Sequence, residues 1–214
     1  MPTLAKAIFD VDCRACARLS DFLDENKCQY PEYHARPVAP FGAANPSLLI
    51  VGLAPGMHGA NASGRPFTGD HAGILLYQTL YDFGFSNKSV SNHNKDGLKL
   101  LDCRITNAVK CLPPQNKPTG EEIRTCNSFL KAELESLKSG ACVIALGSIA
   151  HNAVLRSFGL KAKEYPFLHN KLHRLPNGIS LVDSYHCSRY NTQTKRLTEA
   201  MFRNVFQQAR ELIG

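Results

Sequence analysis

An α/β fold, a mainly parallel four-stranded sheet with helices on both faces, follows from three features of the chain. Strand-like and helix-like segments alternate along its 214 residues, as in β–α–β units rather than hairpins. The strand candidates, LLIVG and CVIALG among them, are short apolar runs without polar alternation, which suits strands covered on both faces. The longer segments between them carry cap residues and apolar stripes at helical spacing.

In chain order, Leu4 to Glu25 reads as a helix and Cys28 to Pro46 as a basic, proline-containing loop. Leu48 to Leu53 is the first strand, helical periodicity runs from His71 to Phe83, and Phe85 to Gly97, rich in Ser, Asn and Lys, is an exposed loop. Cys103 to Val109 gives the second strand. Thr119 and Glu122 have the spacing of a capping box and open a helix to about Lys138. CVIALG is the third strand, and Ser148 is expected to cap a helix ending at Gly159. The fourth strand, Ile179 to Tyr185, ends at His186, and a polar loop, Cys187 to Arg196, follows it. Thr198 then caps a terminal helix with Phe202, Val205, Phe206 and Leu212 on its apolar face.

At this length, with 43% hydrophobic residues, the chain can bury one substantial core. One globular domain over residues 1–214, acting as a monomer, is expected. Lys and Arg outnumber Asp and Glu by 25 to 18, and the pI near 9.0 favours a polyanionic partner. No apolar run approaches the ~20 residues of a membrane span, and MPTLAKAIFDVD carries acids where a signal peptide is apolar, so a cytoplasmic protein without membrane contact is expected.

Eight cysteines in a reducing compartment do not read as a disulfide framework. Cys13 and Cys16 form a CxxC, while Cys111 and Cys126 flank LPPQNKPTGEEIRT. Such an all-thiolate set suits a soft centre, either zinc or an iron–sulfur cluster. Cys103 and Cys142 lie in strand-like runs and read as inert core.

Parallel sheets bind ligands beyond the carboxyl ends of their strands, so residues there count more than their separation in sequence suggests. The first strand opens into GLAPGMHGANASGRPFTGD, whose glycines allow close backbone approach and which delivers Phe67 and Asp70. The second ends at Asn107 and continues to Asn116 in PPQNKP; the fourth ends at His186. Phe67, Asp70, Asn107, Asn116 and His186 thus combine an aromatic platform, a carboxylate, amides that can read a base edge and a histidine that can hydrogen-bond a developing anion. Each has a plainer reading: Asp70 as a helix N-cap, Phe67 as core, the asparagines as turn residues.

The segments GLAPGMHGANASGRPFTGD, NAVKCLPPQNKPT, ALGSIAH and SYHCSRYNTQTKRLT resemble the type-B, family 5 uracil-DNA glycosylases, and the likeness spans nearly the whole chain. The resemblance implies a three-layer α/β/α sandwich and excision of uracil and other damaged bases from DNA. It also implies a [4Fe–4S] cluster on Cys13, Cys16, Cys111 and Cys126. Gly52, Leu53 and Ala54 then face the substrate. Ala54 stands where other superfamily members carry a polar residue that activates water, so Asp70 inherits that work, with His186 on the uracil carbonyl and Phe67 stacked on the flipped base. Asn107 and Asn116 compete to read the base, and the loop that the type-B group uses favours Asn116. Arg65, Ser188, Arg189 and Asn191 are the expected DNA contacts. The alternative is a zinc-stabilised nucleic-acid-binding module without catalysis.

Overall fold

The structure, a computed structural model, describes residues 8–214. Its six-stranded sheet has the order β1-β3-β2-β4-β6-β5. The four central strands, β2 (Leu48–Gly52), β3 (Cys103–Asn107), β4 (Cys142–Leu146) and β6 (Ser180–Ser184), pair in parallel. They are the four strands expected from the apolar runs, and every residue in them is buried. Two short antiparallel edges extend the sheet: β1 (Phe41–Gly42) pairs with β3, and β5 (Leu172–Arg174) pairs with β6. Neither is long enough to leave a periodic signal in the sequence.

Helices cover both faces. On one, α3 (His71–Asp82) and α7 (Glu199–Ile213) pack Leu76, Tyr77, Leu80, Phe202 and Phe206 against Ile50, Ile105 and Ile144. On the other, α4 (Gly120–Glu135) and α5 (Ser148–Ser157) bring Leu130, Leu134 and Val154 onto Leu49, Val51 and Val143. Alternate residues of each strand thus feed two separate cores, which is why the runs read as continuously apolar.

The helix ends show where local signals hold. The capping box is formed: Thr119 accepts from Glu122 N, and the Glu122 carboxylate accepts from Thr119 N at 2.7 Å. Thr198 accepts from Met201 N and caps α7. Ser148 is the first residue of α5 rather than its cap, because Gly147, at φ 97°, makes the turn. The first helix differs most. Residues 4–7 of the expected span lie outside the described residues, and α1 begins only at Ala17, running to Gln29. An Asx turn, Asp12 N donating to Asp10 Oδ1, breaks the chain before it, and Cys16 becomes the N-cap of α1. Phe85 and Ser86 are buried, so the expected exposed loop starts after them. The polar loop 187–196 holds a short helix, α6 (Arg189–Gln193), capped by Ser188.

The chain passes from β2 outward to β3, then crosses back over β2 to β4. The crevice beyond the carboxyl ends of β2 and β4 is therefore the topological switch point, the usual ligand seat of an open parallel sheet.

Candidate active site

A cavity of about 550 Å³ occupies that switch point. Leu53, Ala54 and Gly56 enter it from the end of β2, Asn107 from β3, Gly147 and Ser148 from β4, and His186 from β6. Phe67 and Asp70 come from the loop that follows the four-residue helix α2 (Ala60–Ser63), and Asn116 stands at the exposed edge. All five residues singled out from the strand ends line this one hollow.

Asp70 sits at the N-cap position of α3, yet its side chain makes no capping hydrogen bond. It turns instead toward the glycine-rich loop, where Oδ2 accepts from Ala60 N at 3.2 Å. That orientation needs glycine at two places: a Cβ on Gly56 would lie 2.5 Å from Asp70 Oδ1, and one on Gly59 would overlap both Oδ1 and Cγ. The glycines expected to admit a ligand therefore admit the carboxylate. Burial raises the Asp70 pKa, only partly opposed by the Ala60 N–H.

Gly52 has a parallel role. A Cβ there would sit 2.7 Å from Phe67 Cζ and would collide with Asn107 Oδ1, so the ring and the amide meet over a bare backbone. Phe67 is itself held at φ 57°, a conformation a large side chain seldom adopts, while the missing side chain of Gly73 leaves space for the Phe67 carbonyl. Asn107 is only 3% exposed and its Oδ1 has no hydrogen-bond partner among the described residues. A buried amide left unpaired in a cavity wall is poised to bond a ligand.

The His186 ring lies 6.0 Å from that of Phe67 at 27°, and its Nδ1 also lacks a partner among the described residues. Burial pushes this imidazole down to about 4, so it is neutral near pH 7. Asn191 Nδ2 donates to the His186 carbonyl at 2.8 Å, and Tyr185 N donates to His169 Nδ1 at 3.1 Å, fixing the backbone on both sides of the ring's attachment. Asn191 thus braces the histidine. Ser188 and Arg189 do line the cavity.

Arg65 does not fit its expected role as a DNA contact. It is 5% exposed; Nη1 donates to Asp96 at 2.8 Å and to Ser91 at 3.0 Å, and the guanidinium lies 4.6 Å from the Phe41 ring centroid. Its charge is neutralised inside the fold, where it fastens the Phe67 loop to the 85–97 segment.

The four thiols of Cys13, Cys16, Cys111 and Cys126 line a second hollow of about 110 Å³, closed by Leu19, Pro37 and Phe129. Lys110 N donates to Cys126 Sγ at 3.3 Å. Burial, then the neighbouring Cys126, Cys13 and Cys16, push the Cys111 thiol up to about 12. Cys103 and Cys142 are fully buried in the sheet, as expected, and burial pushes Cys142 up to about 12.

Two buried networks left no local signal in the sequence. Lys110 Nζ donates to Glu133 at 2.5 Å, to Thr106, and to the Asn107 carbonyl at 3.0 Å, tying the end of β3 to α4. Asp183 in β6 meets His151 Nδ1 at 2.7 Å and His173 Nε2 at 3.0 Å. Each joins residues distant in sequence, Lys110 to Glu133 in one and Asp183 to His151 in the other.

Residues 39–210 match the family model described as the uracil DNA glycosylase superfamily. The chain is 44% identical over 207 residues to a type-5 uracil-DNA glycosylase of Thermus thermophilus, covering 94% of each. It is 41% identical to one of Mycobacterium leprae, covering 94% of this chain and 92% of that one. A third, from Pyrobaculum aerophilum, is 39% identical over 93% of this chain and 88% of its own.

Proposed function

The chain belongs to the uracil-DNA glycosylase superfamily, and from that premise we propose how its own residues remove uracil, and which cofactor they hold. The protein is a uracil-removing DNA glycosylase, a hydrolase acting on N-glycosyl bonds. The bond between the sugar C1′ and the base nitrogen breaks, water supplies the new oxygen at C1′, and the base leaves with the bonding electrons. A base inside a duplex cannot be reached, so the nucleotide is first swung out at a cost of roughly a few kcal/mol.

Phe67 provides a replacement stacking surface, worth on the order of 1–3 kcal/mol, which offsets much of that loss. Asn107 reads the pyrimidine edge from the cavity floor, since a single side-chain amide offers both a donor for O4 and an acceptor for N3–H. Its burial and unpaired oxygen favour it over Asn116, which stands exposed at the rim. Asp70 orients the water, takes its proton and holds negative charge beside the cation-like sugar. His186, neutral and desolvated, donates a hydrogen bond to the uracil carbonyl as negative charge builds there. Ser188 and Arg189 contact the DNA backbone beside the cavity.

Cys13, Cys16, Cys111 and Cys126 suit a [4Fe–4S] cluster: the four cysteines line one hollow, and a backbone N–H already points at one sulfur. Such a cluster supplies a cross-link between the segment before α1, the loop after β3 and α4; hydrolysis of an N-glycosyl bond needs no electron transfer. The protein acts as a cytoplasmic single-domain monomer on uracil and related deaminated bases in DNA.

The observation that carries this reading is the Asp70 carboxylate, turned away from its own helix and seated over two obligatory glycines at the cavity wall. The test is abasic-site formation on uracil-containing DNA, revealed by alkali cleavage on a gel. Strand scission at the uracil is expected, and its absence refutes the reading.

A further inference from the structure

A larger groove, about 1000 Å³, adjoins the base cavity, and the two hollows share Phe67, Asp70, His71 and Arg189. Its floor is apolar and open. Ile74, on α3, is 70% exposed, and Val90, from the loop before β3, is 55% exposed, although both side chains prefer burial. Leu75 and Leu197 complete that floor, and Gln78 and Asn92 offer hydrogen bonds along its side. The charged side chains lining it beyond the shared Asp70 are Arg189 and Lys195, against Glu199.

The geometry points to this groove as the seat of a nucleotide next to the excised one on the same DNA strand, an inference that rests on the glycosylase reading above. Covalent continuity is the first reason. Once a base enters the cavity, its neighbour is one phosphate away, and the groove begins at the same four residues. Charge is the second: Arg189 stands at the shared rim, where the linking phosphate must pass, with Lys195 along the groove. The floor is the third, because the aliphatic faces of Ile74 and Val90 accept a base ring without regard to sequence, while Gln78 and Asn92 meet its edge. A protein segment would need no such continuity with a base cavity.

The experiment is a cycle between protein and DNA. Uracil-containing oligonucleotides, single-stranded and duplex, carry either ordinary neighbours or a tetrahydrofuran spacer in place of the nucleoside on one side of the uracil. Wild-type protein is compared with Ile74→Ala and Val90→Ala, which remove the aliphatic surface of the floor from two different elements without adding charge, with thermal melting to confirm folding. Wild-type kcat/KM is expected to fall by about tenfold when the spacer replaces the neighbour on one side, the scale of one stacked base. Both variants are expected to cleave the spacer substrate within about twofold of wild type and to gain less than wild type from restoring the base. Variants that keep the full wild-type preference, or a wild-type protein indifferent to both spacers, overturn the groove assignment and leave the glycosylase reading intact. Failure of the wild-type protein to release uracil from any of these substrates overturns the glycosylase reading and the groove with it.

Discussion

Gly59→Ala adds one methyl group and removes no chemical function, yet it should disable the site. The new Cβ would occupy the space of Asp70 Oδ1 and Cγ, much closer than real Cβ atoms approach any neighbour. To restore ordinary contact the carboxylate must retreat by more than about 1 Å, and a misplacement of that size costs on the order of 10²-fold in rate. The bond from Ala60 N to Oδ2 is lost in the same movement. The ceiling is set by complete loss of a general base, about 10⁴-fold, so a fall of roughly 10²- to 10³-fold in kcat is expected. Overpacking costs about 1–3 kcal/mol of stability, which leaves a folded protein to assay. Single-turnover uracil release is the measurement, with Gly120→Ala as the control, since its Cβ meets only the tip of Arg124. A Gly59→Ala rate within about tenfold of wild type would mean that the Asp70 position does not govern catalysis.

Phe67→Ala should raise KM by about 5- to 150-fold, the equivalent of one lost base stack, with a smaller effect on kcat, as read by steady-state kinetics on uracil-containing DNA. Cys111→Ser should abolish bound iron and sulfide, assayed chemically. Losing that cross-link should also lower the melting temperature by on the order of 10 °C, whereas unchanged metal content would remove Cys111 from the ligand set. His186 titrates at about 4 in the fold against ~6.5 in an unfolded chain, so the unfolded state binds more protons between those values. Its contribution to stability is therefore complete above ~6.5 and is lost as pH falls toward the folded value, at no more than about 1.4 kcal/mol per pH unit. Comparing denaturation of wild type and His186→Gln across that window should show a shallower slope in the variant, the remainder coming from groups such as the half-buried His169; equal slopes would contradict the reading.

Much of this was legible because the signals were local. The apolar runs gave the four central strands, and Thr119 and Thr198 marked helix starts through caps that need only three residues of context. The strand ends pointed to Phe67, Asp70, Asn107 and His186 through the topology of parallel sheets, which places residues separated by more than a hundred positions in one crevice. What stayed hidden depends on partners far along the chain. Arg65 reads as a surface cation until Asp96, 31 residues on, is folded against it. Asp70 has the sequence context of an N-cap, and only the loop backbone shows that its carboxylate faces away from its helix. The glycines of GLAPGMHGA read as admitting a ligand, but the group that approaches Gly56 and Gly59 is the protein's own Asp70 carboxylate. The helix expected from Leu4 to Glu25 is interrupted before α1 because the Asx turn at Asp10 breaks an otherwise helix-compatible run.

Uracil release by Asp70→Asn, measured together with its affinity for uracil-containing DNA, bears most directly on the whole scheme. Asparagine keeps the size and the hydrogen bond from Ala60 while removing the charge and the basicity. If Asp70 activates water and steadies the sugar cation, release should fall by about 10²- to 10⁴-fold while DNA binding stays within about threefold of wild type. Release at close to the wild-type rate would contradict the assignment and shift the chemistry to another group.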